Sequence, residues 1–149
     1  MLELHVLHPM IVHFPVAMLF IMPIGLVFWS HLQDGSWHAA MLATALGAAI
    51  STSIAYATGP AMIPHGKNPE IMEMLMPLHE TMALMTLVLS WLVTLALTMV
   101  YFIADYGAET GERVPYWARF WVIVLAAITG AAAAYTGHLG AQMVWGELL

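Results

Sequence analysis

Charged residues are missing from four long stretches of the chain: between Glu3 and Asp34, between Asp34 and Lys67, between Glu80 and Asp105, and between Arg119 and Glu147. The shortest of them, residues 81–104, holds 24 residues. A helix rising about 1.5 Å per residue needs roughly 20 residues to cross the hydrocarbon layer of a bilayer. Turn-forming or charged patches separate the stretches: Gln33-Asp34-Gly35-Ser36, the segment from Pro60 to Glu70, and the segment from Asp105 to Pro115. The pattern predicts four transmembrane helices near residues 9–32, 37–59, 72–104 and 115–140. They form a single all-α domain over residues 1–149, an integral membrane up-down four-helix bundle.

Composition supports the same reading and removes several function classes. Of 149 residues, 62% are hydrophobic and 8% are charged, against about 25% charged in a soluble domain. Three Lys+Arg are too few to neutralise a run of phosphates, so nucleic-acid binding is not expected. With no cysteine there are no disulfides, thiolate metal sites or covalent c-type haem attachment. The N-terminus lacks a basic leading segment and a small-residue cleavage site, so it does not read as a cleavable signal. Arg113 and Arg119 follow the third helix, whereas the loop after the second carries only Lys67. The positive-inside rule then puts the arginine side in the cytoplasm and both termini in the periplasm. Trp29, Trp37, Tyr106, Tyr116 and Trp117 are expected at one interface, and Tyr56, Tyr135 and Trp145 at the other.

Eight histidines stand out in so apolar a chain. His31 and His38 flank the first turn and read as interfacial or solvated. The other six are His5, His8, His13, His65, His79 and His138, and all fall at the same end of an alternating bundle. His5 and His65 read as solvated. His13, His79 and His138 lie within or at the edge of apolar segments, where polar groups are costly and usually face the bundle interior. Counting residues from the helix starts suggests a deeper His13/His79 pair and a shallower His8/His138 pair. The first and third helices are diagonal in a square bundle, which suits ligands on opposite faces of a flat cofactor. His8 and His13 are five residues apart, so they share a face only if the helix is irregular around Pro9 and Pro15.

Imidazole binds haem iron, copper, zinc and non-haem iron. A carboxylate-rich di-iron site needs more inward Glu than Glu73 and Glu80 supply, and no HExxH spacing indicates a zinc hydrolase. Haem b and copper remain. The second and fourth helices are rich in small residues (Gly47, Ala48 and Ala49; Gly130 and Ala131 to Ala134), which leave room for a broad macrocycle. Copper draws on the alternating Met72, Met74 and Met76 ahead of His79, since thioethers with imidazole suit Cu(I).

The segment Leu7-His8-Pro9-Met10-Ile11-Val12-His13-Phe14-Pro15-Val16-Ala17, with Thr136-Gly137-His138-Leu139-Gly140, resembles prokaryotic membrane proteins grouped as domain of unknown function 2231. His79-Glu80 and Ala57-Thr58-Gly59 are also similar, so the likeness spans nearly the whole chain. Ala141 departs from the pattern, where a second glycine is expected. The resemblance implies four membrane helices in a bacterial or archaeal setting, and it singles out His8, His13, His79 and His138. Some relatives are associated with Rieske or cytochrome domains, which implies electron transfer.

The expectation is therefore a b-type cytochrome of the prokaryotic inner membrane. His13 and His79 are the axial ligands of one haem, and His8 and His138 hold a second haem or contact propionates. Electrons would pass between quinone and periplasmic carriers of the Rieske or cytochrome c type. The chain would then be a redox subunit more than a stand-alone enzyme, with oligomers permitted by its small-residue helices. Copper binding or transport is the alternative.

Overall fold

Proline and asparagine set the helix boundaries. The computed structural model describes residues 4–32, 35–65, 68–110 and 113–145, with no strand among them. Helices α1 (Leu4–Ile11) and α2 (His13–Leu32) form the first span. Helix α3 (Gly35–Thr58) continues as a 3-10 helix (Gly59–His65), and α4 (Pro69–Thr110) and α5 (Tyr116–Trp145) complete the chain. Four segments are long and apolar enough to cross a membrane: His5–Leu32, Gly35–His65, Pro69–Asp105 and Tyr116–Trp145. The turn residues Gln33, Asp34 and Lys67 lie outside the described residues.

The first span is broken at Val12. Pro15 has no N–H to offer the Ile11 carbonyl, and its ring crowds that oxygen, so α1 stops there and α2 resumes at His13. Bonds from Val12 N to His8 O (3.1 Å) and from Val16 N to Val12 O (3.4 Å) bridge the break. α4 starts three residues before the position expected from hydropathy, because Asn68 caps it. Asn68 Oδ1 accepts from the Glu70 amide at 3.0 Å and from the Ile71 amide at 3.4 Å, and Pro69 occupies the first helical position. α5 continues to Trp145, past the expected end at residue 140.

The spans close into a ring in which α2 packs on α3, α3 on α4, α4 on α5 and α5 on α2, while α1 lies against α3 and the 3-10 helix. The first and third spans are diagonal, as are the second and fourth. One half of the bundle is dry. There Leu19, Met22, Leu26, Ala48, Val93 and Leu97 are almost completely inaccessible. Outward positions carry large apolar side chains such as Phe20, Phe102 and Trp121, more than 60% exposed, a surface suited to lipid and not to water. Serine and threonine hydroxyls bond back along their own helices, as Thr52 does to the Ala48 carbonyl and Thr129 to the Leu125 carbonyl, both at 2.7 Å.

Two residues at the dry end differ from expectation. His38 is 1% exposed, not solvated. Its Nε2–H donates to the Leu97 carbonyl of α4 at 3.1 Å, and its ring meets Trp29 and Tyr101 edge-on at 4.7 and 5.3 Å. Trp29 is 2% exposed and packs inside, so it does not belong to the interfacial aromatic row. Trp37, Tyr116 and Trp117 are exposed as expected, as are Tyr56, Tyr135 and Trp145 at the other end, while the Tyr106 side chain lies outside the described residues. Arg119 also joins two helices. Its guanidinium bonds the Ser30 carbonyl in the last turn of α2, where helix carbonyls lack intrahelical partners, and it stands 5.8 Å from the centre of the Tyr116 ring.

One close helix crossing follows from another proline. Pro23 leaves the Leu19 carbonyl without its usual amide partner, and α5 places Gly130 against it. A Cβ on Gly130 would stand 2.8 Å from Leu19 O, closer than real Cβ atoms approach. Gly130→Ala should therefore destabilise the fold by about 1–3 kcal/mol, the typical cost of overpacking, read as a lower midpoint of unfolding by circular dichroism in detergent. His38→Ala should lower the same midpoint, by about 1–3 kcal/mol for the lost bond and its unmatched partner.

Candidate functional site

Opposite the dry half the four spans part around a cavity of about 560 Å³. Its wall takes residues 8–16 from the break in the first span, 52–65 from the second, 72–86 from α4 and 133–145 from α5. Four histidines line it: His8, His13, His65 and His79. The Pro15 break explains how two residues five apart, His8 and His13, both reach it.

Each imidazole is held differently. His8 is half-buried. Its Nδ1–H faces the Ala55 carbonyl at 3.0 Å and the Thr58 hydroxyl oxygen at 3.1 Å, both on α3. Thr58 is itself 5% exposed and gives its own hydroxyl hydrogen to the Ile54 carbonyl at 2.9 Å. His13 is exposed, and its Nδ1–H donates to the Pro9 carbonyl at 2.6 Å. A carbonyl can only accept, so both rings carry hydrogen on Nδ1 and keep the lone pair on Nε2. His79, on α4, lines the cavity beside Glu80. The buried Nδ1 of His79 has no hydrogen-bond partner. His65 stacks flat on His5, with centroids 4.2 Å apart and planes 10° apart, and joins α1 to the 3-10 helix.

Small residues make the space. A Cβ on Gly140 would come within 3.3 Å of His79 Cε1, and one on Gly59 within 3.7 Å of His8 Cε1. Thr86 and Thr136 bring their hydroxyls together at 3.1 Å across α4 and α5. Helical rotation sorts the methionines: Met72 and Met76 line the cavity with Met62 and Met143, whereas Met74 is 56% exposed on the outer surface.

The structure thus brings His8, His13 and His79 to one cavity and leaves His138 exposed outside its lining. Sequence reasoning passed over Thr58 as the anchor of His8, and over Met62, Met143 and His65 as lining. Among the described residues no group of three or more His, Cys, Asp or Glu side chains is arranged to hold a metal ion.

No curated protein and no solved structure matches the chain. The family model described as "Predicted membrane protein (DUF2231)" matches residues 4–148, nearly the full length. The chain belongs to the DUF2231 family of membrane proteins.

Proposed function

We propose that this protein is a b-type cytochrome that holds haem in the histidine-lined cavity through two imidazoles and serves in electron transfer. The observation that carries the reading is the meeting of imidazoles from diagonal spans in one cavity, with carbonyls holding Nδ1 of His8 and His13 and with the buried Nδ1 of His79 unpartnered. His79 would grip from α4. From the first span the candidates are His13, the ligand expected from depth, and His8. The cavity volume falls within the roughly 300–1,000 Å³ usual for small-molecule and cofactor sites.

The donor set supports haem over a bare ion bound by histidine. A tetrahedral metal site asks the protein for three or four ligands, and no such group of His, Cys, Asp or Glu is present among the described residues. A porphyrin brings four nitrogens of its own and asks for two. The buried, unpartnered Nδ1 of His79 is an atom in need of a partner. The glycine backbones beside His79 and His8 let a flat ring approach. Ligating histidines usually give their second N–H to a carbonyl or carboxylate, as His8 and His13 do. In that tautomer a neutral ring has no hydrogen to give a propionate, so His8 fits a metal better than a carboxylate.

Haem b held by His79 and an imidazole of the first span would supply one-electron transfer. The chain's share is to position the rings and to keep the surroundings apolar. By the arginine count the cavity faces the periplasm of a prokaryotic inner membrane, where quinone and carriers of the Rieske or cytochrome c type are within reach. Such a protein works as a redox subunit. One specific observation favours a second reading: Met62, Met72, Met76 and Met143 all line the cavity with His79, a soft donor set suited to Cu(I).

Protein purified in mild detergent after expression with ample haem supply tests both. The expected result is a reducible Soret and α-band pair with iron near one per chain. His79→Ala should lose the low-spin spectrum, and His138→Ala should keep it. Stoichiometric copper without haem assigns the thioether reading, and a colourless, metal-free preparation overturns both.

A further inference from the structure

The proposed haem site leaves open which imidazole of the first span faces His79, and the contacts around the Val12 break decide it. His13 is exposed, and its Nδ1–H bond runs to Pro9, within its own span. That bond ties the ring to the local backbone and to no other span. His8 is held across the bundle: the Ala55 carbonyl and the Thr58 hydroxyl take its Nδ1–H from α3. α1 meanwhile packs on α3 and the 3-10 helix. The ring of His8 is thereby fixed in rotation and tautomer by groups that belong to a different span.

We infer that His8, not His13, is the first-span haem ligand, and that Thr58 is its positioning residue. The Thr58 hydroxyl serves three partners at once. It gives its hydrogen to the Ile54 carbonyl at 2.9 Å and the Ala55 carbonyl at 3.1 Å, which leaves its oxygen lone pairs to accept from His8 Nδ1–H at 3.1 Å. With Nδ1–H so held, the Nε2 lone pair is the ligating atom. The Ala55 carbonyl alone can keep the tautomer, but a single acceptor leaves the ring freer to rock about its Cβ–Cγ axis. Outer partners of this kind are worth roughly 10–100-fold in metal affinity. Gly59, next in the chain, keeps the space beside His8 Cε1 open. The inference rests on the haem reading, and its test separates the two.

The test titrates haemin into the detergent-purified full-length protein, wild type and variants, and records optical and electron paramagnetic resonance spectra with the midpoint potential. His8→Ala should lose the low-spin signal and regain it on addition of imidazole, while His13→Ala should keep it. Thr58→Val should bind haemin about 10-fold more weakly and shift both potential and resonance pattern, and Thr58→Ser should behave as wild type. In the haem-free protein, ¹⁵N NMR should find Nε2 of the neutral His8 ring unprotonated. A low-spin signal lost in His13→Ala and kept in His8→Ala, a Thr58→Val variant indistinguishable from wild type, or a protonated Nε2 would each overturn the inference and leave the haem reading standing. A wild-type protein that takes up no haemin would remove the haem reading, and the inference with it.

Discussion

Inside a bilayer an imidazole must hand its N–H to an oxygen, because no water is there to take it. This chain meets that demand with backbone carbonyls. His8 turns to Ala55, His13 to Pro9 and His38 to Leu97. A carbonyl has two lone pairs, so it can serve the helix ladder and a side chain together. Each such bond fixes one ring nitrogen and leaves the other to its surroundings. At the dry end the surroundings of His38 are Trp29 and Tyr101, and the ring is structural. At the open end they are a cavity, and the same chemistry becomes a candidate for ligation.

Proline decides where helices yield to this arrangement. Pro15 interrupts the first span at Val12, which gives α1 a direction of its own and lets two histidines five residues apart reach one space. Pro23 strips the Leu19 carbonyl of its amide and invites the Gly130 backbone against it. The helix continues through Pro23 and stops near Pro15. In the first case α5 packs against the exposed oxygen, and in the second the cavity lies alongside. Helix packing in membranes draws on close contact of this kind, since burying apolar surface between helices gains little over lipid.

The spans were readable in the sequence, because charge is expensive in lipid and its absence marks the crossings without need of pattern. The family was readable too, from the HPMIVHFP element and the glycine-flanked His138. Helix rotation was less so. α5 is apolar nearly all round, so no polar stripe says which way His138 points, and the structure turns it outward. His38 sits near a turn in the chain, which suggested solvent, yet one helical step carries it under Trp29. Met72, Met74 and Met76 look alike as letters, but at 100° per residue the middle one must face away. The early start of α4 was written in Asn68-Pro69-Glu70, a capping signal that hydropathy alone overrides. The anchoring of His8 by Thr58 joins residues 50 positions apart and follows only from the packing of α1 on α3.

The solid packing of Leu19, Met22, Leu26, Val93 and Leu97 decides where a guest can sit. Those side chains fill the other end of the bundle, so whatever the cavity takes up is held beside His8 and His79 and away from His38.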